Sequence, residues 1–309
     1  FKLSNEDINH AKPNPEIYLR MFIHFGIYPS EALIVEDSHY GREAAISSGA
    51  KLLPIKRLDE LSLKKIKLNL TPKKKIFVKN VSWEDNKMNV LIPMAGAGKR
   101  FFDAGYMFPK PLIEIDNKPM IQWVIESLNL NANYIFIIQK EHQKKYNIKS
   151  VLRILKPNCK IIELDHITEG AACTTLLAKK FINNSDPLII ANSDQYIDWN
   201  SSKAIYDFST KNLDGAILTF ESIHPKWSYA KCDEDGFVTE VAEKKVISKN
   251  ATVGVYYWKR GADYVRSAQE MIKKNVRVNN EFYVCPVYNE FISKKKKVKI
   301  HDVDKMWGL

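Results

Sequence analysis

Cysteine is scarce in this chain. The four in 309 residues, Cys159, Cys173, Cys232 and Cys285, are widely spaced, with no CxxC and no nearby paired histidine. That excludes a zinc site and, at this size, a disulfide framework, and fits reduced thiols in the cytoplasm. Long hydrophobic runs are missing too: none approaches the ~20 residues that span a membrane. The opening "FKLSNEDINH" has neither the basic start nor the apolar core of a secretory leader. The chain starts at Phe rather than Met and ends abruptly at "DKMWGL", which predicts a piece of a longer protein. No internal repeat is visible, and no helix-turn-helix, RRM or zinc-finger pattern.

Positive charge is what the chain has in excess. Its 47 Lys+Arg against 36 Asp+Glu give a formal net charge of +11. Such a balance suits nucleic acid, a membrane surface or acidic small molecules. Between Lys51 and Lys87 there are 11 Lys/Arg against 4 Asp/Glu, and "SKKKKVK" (Ser293 to Lys299) adds more. Without a nucleic-acid-binding motif, these tracts are expected to be a solvated linker and a solvated hairpin. Nucleic acid and membrane are therefore not the expected partners; a homo-oligomer stays open.

Three stretches follow. In residues 1–55, "NPEIYLRMFIHFGI" carries Ile17, Met21, Phe22 and Phe25 at helical spacing with Gly26 as C-cap. "ALIVED" is a strand, "GREAAISSG" a helix closed by Gly49, and "KLLPI" a second strand. That alternation belongs to a parallel sheet, but so short a piece cannot bury a core alone, so further strands are expected upstream. Residues 56–88 form a Lys-rich linker, within which "KKIFVKNVSW" is a candidate edge strand. Residues 89–309 alternate strand and helix: "NVLIPM", the helix "PMIQWVIESL", "YIFIIQ", the helix "QKKYNIKSVLRIL", "KIIEL", the helix "AACTTLLAKKFI", "PLIIANSD", then "GAILTF", "FVTEVAE" and "TVGVYYW", the helices "GADYVRSAQEMIKK" and "EFYVCPVYNEFISKK", and a last strand "KVKIHDV". Met94 and Trp123 read most simply as core.

"NVLIPMAGAGKRFFDAGYMFPKPLIEI" (Asn89 to Ile115) passes from an apolar run into glycines followed by Lys99, Arg100 and Lys110. Glycines with cations point to phosphate, because a backbone without Cβ lets N–H groups approach it. A P-loop fails on Pro93 and Arg100, and a dinucleotide fingerprint fails on Phe101. Strand, GxGxR, then PKP is the pattern that fits. With "NKPMI" behind it, this stretch resembles the sugar-phosphate nucleotidyltransferases, the family of glucose-1-phosphate thymidylyltransferase, over about 89–309.

The resemblance implies an α/β fold: a Rossmann-like, mixed, mainly parallel sheet flanked by helices. It implies a nucleotide site at Ala95, Gly96, Ala97 and Gly98, and at Glu169, Gly170 and Ala171 of "TEGAACT". Arg100, Lys110 and Lys244 are the implied catalytic cations. Tyr229 of "WSYA", Glu243 and Lys244 of "VAEKK", and Gly254 are implied at the acceptor. Asp194 of "ANSDQ" would hold Mg2+. The family's second metal-binding Asp has no counterpart in "NNEFYVCPVYNEF", where Glu281 is the candidate substitute. The EKP proline is Lys245 here and the Gly after the sugar-facing Tyr is Ala230. Taken singly, Gly96 and Gly98 fit any tight βα turn, Arg100 a surface position, Asp194 a turn cap and Lys244 a solvated lysine; their joint order favours transfer. The expected substrates are an NTP and a phosphorylated small-molecule acceptor such as a sugar 1-phosphate, in activated-sugar or surface-polysaccharide synthesis. A cytidylyltransferase for a non-sugar phosphate stays open.

Residues 1–55 resemble the C-terminal part of haloacid-dehalogenase-superfamily phosphatases. "KPNPEIY" implies that Lys12 stabilises a phosphoaspartate, and "VEDSxxGxxAAxxxG" that Glu36 and Asp37 face Mg2+. The DxD nucleophile motif is absent, so this part is expected to be inactive as it stands. A rival arrangement is a phosphatase whose transferase-like half only binds or regulates.

Overall fold

The computed structural model describes all residues except 28, 71–81, 97–107 and 309. It divides into two compact units, Phe1–Lys79 and Asn80–Leu309.

In the first unit, helix Glu16–Phe25 buries Tyr18 and Phe22 and ends at Gly26, whose φ of 63° gives a left-handed cap. Strands β1 (Leu33–Glu36) and β2 (Lys51–Pro54) pair in parallel, from Leu33 opposite Lys51 to Glu36 opposite Pro54. Helix His39–Ser47 joins them and starts on Ser38, whose hydroxyl accepts from the Gly41 N–H. Ala44 and Ala45, fully buried, let that helix lie close to Tyr18, Phe22 and Ile34. The stretch expected to be linker holds a further helix, Leu63–Leu70. Most of "KKIFVKNVSW" lies outside the described residues.

The second unit is built on β3 (Trp83–Pro93), β6 (Leu130–Gln139), β7 (Lys160–Leu164) and β8 (Leu188–Ala191), all mutually parallel, in the order β7-β6-β3-β8. Between β3 and β6 lies a small hairpin, β4 (Glu114–Ile115) with β5 (Lys118–Pro119). Asp116 and Asn117 at φ 48° and 62° make its turn, as the twist of a two-residue hairpin requires. Strands β9 (Gln195–Asp198), β10 (Gly215–Glu221), β11 (Ser228–Cys232), β12 (Val238–Glu243), β13 (Asn250–Trp258), β14 (Val298–Asp302) and β15 (Lys305–Gly308) follow. β13 runs antiparallel to β8, β10 and β11, and β12 antiparallel to β11, while β14 is parallel to β10. β3, β6, β7, β8, β10, β11 and β14 therefore share one direction and only β12 and β13 oppose it: a mixed, mainly parallel sheet.

The central strands read as unbroken apolar runs because both faces are covered. Their side chains alternate between two cores. Val90, Ile92, Phe136, Ile189, Val255 and Tyr257 enter one; Leu91, Ile135, Ile137, Ile190, Tyr256 and Trp258 enter the other. Helices Met120–Leu128, Ile148–Leu155 and Ser201–Thr210 contribute to the first core. Helices Ala171–Leu176, Gly261–Lys273 and Val287–Ile292 contribute to the second. There Trp258 stacks on Tyr288 at 4.2 Å between ring centroids, a contact worth about 1 kcal/mol beyond the area it buries. Met94 is core as expected, whereas Trp123 is half-buried, its indole N–H donating to the Ile115 carbonyl at 2.8 Å.

Several elements differ from the sequence expectation. The "QKKYNIKSVLRIL" helix is two helices, Lys140–Tyr146 and Ile148–Leu155, broken where Asn147 adopts φ 49°. "AACTTLLAKKFI" likewise forms two short helices, the second being Lys179–Ile182. In "EFYVCPVYNEFISKK" only Val287–Ile292 is α-helical, entered through Pro286. The tract Lys294–Lys297 is a helix-to-strand turn rather than a hairpin, with Lys294 paired to Glu270 and Lys296 to Asp214. Among the described residues no helix is long and apolar enough to cross a membrane.

Candidate active site

The carboxyl ends of β3 and β8 face one cleft of about 220 Å³, lined among others by Pro93, Gly96, Lys110, Ala171, Asn192 and Asp194. Open parallel sheets bind ligands at this edge. Gly96, Lys110, Ala171 and Asp194 come from four separate stretches of sequence, and the fold brings them together. Ala97, Gly98 and Arg100 lie outside the described residues.

β3 delivers the start of the loop. Ala95 is buried, and the Gln139 side chain at the end of β6 donates to the carbonyls of Ala95 at 3.0 Å and Gly96 at 2.9 Å. Sequence reasoning missed Gln139, although a polar residue closing the run "YIFIIQ" was the available signal. Lys110 opens the short 3-10 turn Lys110–Leu112, whose Pro111 and Leu112 are buried and anchor it. Its Nζ lies 2.5 Å from Asp194 Oδ2.

Asp194 sits in the turn between β8 and β9. That turn is fixed from β13: the Asn192 N–H donates to the Gly254 carbonyl at 2.9 Å. Gly254 has φ 72°, and a Cβ there would run into the Asn192 and Gln195 side chains. Gly254, implied at the acceptor, thus lies close against the turn that carries Asp194. The buried Gln195 Oε1 has no hydrogen-bond donor among the described residues. Among those residues no group of three or more His, Cys, Asp or Glu converges on a metal position. Asp194 is the carboxylate among the described residues that line the cleft. It fits Mg2+, which is held by one or two carboxylates with phosphate and water oxygens completing its shell.

The turn Thr168–Thr174 brings Ala171 to the cleft. The Thr168 and Thr174 hydroxyls lie 2.6 Å apart and 3.0 and 3.2 Å from the Gly170 carbonyl, so one hydroxyl donates to the other, which donates to the carbonyl. Gly170 has φ 131°, and a Cβ there would lie 2.5 Å from the backbone N and O of Phe282. Phe282 N–H donates to the Glu169 carbonyl at 2.8 Å, and the Ala172 N–H donates to the Phe282 carbonyl at 2.9 Å. The Glu169 carboxylate takes a hydrogen bond from Arg277 Nη2 at 2.5 Å. Arg277 and Phe282 were not foreseen.

Of the acceptor candidates, Glu243 and Lys244 lie where β11, β12 and the 281–283 segment meet. Glu243 lies directly opposite Ser228 across β11 and β12, and the Ser228 hydroxyl donates to its carboxylate. Burial pushes the Glu243 carboxyl above the usual range, against the Ser228 bond and the Lys244 charge. Lys244 has φ 52°, uncommon for a residue with a Cβ, and its Nζ donates to the Tyr283 hydroxyl at 2.6 Å. Burial raises the Tyr283 phenol. Glu281 acts electrostatically on Glu243 and Tyr283, and its backbone bonds Val278. Tyr229 departs from its expected place facing the sugar. It is fully buried and its hydroxyl donates to the His224 carbonyl at 2.7 Å, so it supports β11.

In the first unit Glu36, buried at the end of β1, accepts from Lys12 and Tyr18 and, at 3.2 Å, from Ser38. Burial pushes its carboxyl up, but the Lys12 and Tyr18 bonds prevail and hold it below the usual range. Asp37, next along, is exposed.

The nucleotidyl transferase family model matches residues 89–307. The chain belongs to the nucleotidyl transferase family. A haloacid dehalogenase-like hydrolase model matches residues 1–55. The bifunctional protein GlmU of Thermosipho melanesiensis is 26% identical over 229 residues, covering 72% of this chain and 48% of that protein. The catalytic subunit beta of mannose-1-phosphate guanylyltransferase from Drosophila pseudoobscura is 26% identical over 178 residues, covering 55% of this chain and 48% of that protein. The chain thus spans about half the length of the curated relatives it matches. Among solved structures, a nucleoside-diphosphate-sugar pyrophosphorylase from Vibrio cholerae superposes with a TM-score of 0.60 at 25% identity, covering 69% of this chain and 91% of that one.

Proposed function

We propose that residues 89–309 transfer a nucleoside monophosphate from an NTP to a sugar 1-phosphate and release pyrophosphate. The observation that carries this is the convergence of Gly96, Lys110, Ala171 and Asp194 on one cleft at the carboxyl ends of β3 and β8, in a chain of this family. A relative named for mannose 1-phosphate and a structural neighbour named for nucleoside-diphosphate sugars support the acceptor class.

An acceptor phosphate oxygen forms a bond to the α-phosphorus, and the bond from that phosphorus to the β-phosphate bridging oxygen breaks. The electron pair leaves with pyrophosphate. The barrier is largely the approach of two anions, so the protein's task is to position them and offset their charge. Lys110 brings a cation to the α-phosphate, and Arg100 is the cation expected to fork triphosphate oxygens. The Glu169–Ala172 turn seats the base, and Lys244 draws in the acceptor phosphate beside Glu243. Asp194 would hold Mg2+, which when bound offsets phosphate charge. Residues 1–55 form the end of a haloacid dehalogenase-like unit with Lys12, Glu36 and Asp37 as its charged cluster, and residues 56–88 connect the two.

The test is a matrix of four NTPs with magnesium against a panel of phosphorylated acceptors, read as pyrophosphate. One NTP with a sugar 1-phosphate should release it, and Lys110→Ala should abolish the release. Turnover only with a non-sugar phosphate would replace the acceptor; no release from any pair would refute the function.

A further inference from the structure

We propose that the segment Arg277–Tyr283 couples the base-side and acceptor-side subsites, with Arg277 and Tyr283 as positioning residues at its two ends. The coupling rests on the transfer function proposed for the site.

Phe282 is bonded through both its backbone groups to the base-side turn, by the Glu169 and Ala172 pairs at 2.8 and 2.9 Å. The absence of a Cβ at Gly170 makes that approach as close as backbone on backbone allows. Arg277 ties the same turn from the other end of the segment. Its Nη2 reaches Glu169, its Nη1 donates to the Asn280 carbonyl at 3.1 Å, and its Nε donates to Asn275 Oδ1 at 2.6 Å. Its guanidinium carbon lies 4.0 Å from the centre of the Phe282 ring, clamping the segment into one piece.

The next residue, Tyr283, belongs to the acceptor side. Its hydroxyl takes the Lys244 ammonium, which also stands 4.6 Å from the ring centre. Lys244 is thus aimed by two restraints, its own left-handed backbone and Tyr283. Phe282 and Tyr283 are consecutive, so the backbone paired with the base turn runs directly into the residue whose hydroxyl holds Lys244. A movement of the base turn that carries Phe282 with it therefore displaces Tyr283 and the hydroxyl that aims Lys244. Arg277 and Tyr283 contact no reacting atom in this scheme; each acts through Glu169 or Lys244.

The test uses the full chain with UTP, CTP, GTP and dTTP, each with magnesium, and glucose 1-phosphate and mannose 1-phosphate as acceptors. Tyr283→Phe should raise the acceptor KM about tenfold, the usual consequence of losing one charge-assisted hydrogen bond, and leave the NTP KM within twofold. Arg277→Ala should raise both KM values, and Arg277→Lys should restore part of each. Hydrogen exchange, which needs no turnover, should show faster exchange at the Ala172 and Phe282 amides in Arg277→Ala and near Lys244 as well. An Arg277→Ala effect confined to the NTP KM, or to the exchange of residues 168–176, overturns the coupling. If none of these pairs turns over, the exchange result alone decides the coupling, and the transfer function is decided by the full acceptor panel.

Discussion

Each unit places a lysine against a carboxylate at the carboxyl end of a parallel strand, and the two pairs differ in how completely the carboxylate is satisfied. The Glu36 side chain is 10% exposed and holds Lys12, Tyr18 and Ser38. The Asp194 side chain is 33% exposed, borders a cleft, and has Lys110 as its partner among the described side chains. A carboxylate enclosed by three donors is held in place and contributes to stability. One that faces open space with a single cation can exchange that cation for a ligand. A lysine–carboxylate pair can therefore serve either end, and burial decides which.

The largest effect should come from breaking the open pair. Asp194→Asn should lower kcat/KM for pyrophosphate release by about 10²–10³, the scale for removing a group that offsets transition-state charge, with little change in unfolding midpoint. Glu36→Gln should do the reverse: it strands Lys12, costs about 2 kcal/mol in urea unfolding of the first unit, and leaves pyrophosphate release within twofold.

Acid sharpens the contrast further. The folded Glu36 carboxyl lies below its unfolded value, so its contribution is complete above about pH 4.5 and disappears as pH falls through the folded value. Urea midpoints of wild type should drop over that window, while those of Glu36→Gln stay flatter. The smallest effect concerns Glu243, whose burial is opposed by a hydroxyl and a neighbouring charge rather than by a lysine in contact. Its folded carboxyl lies above the unfolded value, so stability is lost as pH rises from about 4.5 through the folded value. Glu243→Gln should remove that decline and stabilise by about 1 kcal/mol at pH 7.

Much of this was legible in the sequence. Unbroken apolar runs such as "NVLIPM" and "YIFIIQ" announced strands covered on both faces, and "FPKPL" announced Lys110, which lines the cleft. β4, β5, β9, β11 and β15 escaped because they are two to five residues long and too short to show alternation. The break in "QKKYNIKSVLRIL" escaped because Asn147 reads as helix-compatible until a left-handed turn is required of it. Arg277, Phe282 and Tyr283 were invisible for another reason: their roles are backbone and long-range contacts to Glu169, Ala172 and Lys244, which no local spacing encodes. Tyr229 went the other way, since a motif match could not tell that its hydroxyl is spent on His224.

The most direct measurement is pyrophosphorolysis with ³²P-pyrophosphate and the nucleotide sugar identified by the NTP matrix. Attack at the α-phosphorus in both directions predicts label in the β- and γ-phosphates of an NTP, with loss of that label in Asp194→Asn. Label remaining in pyrophosphate, or passing only to orthophosphate, would contradict nucleotidyl transfer at this cleft.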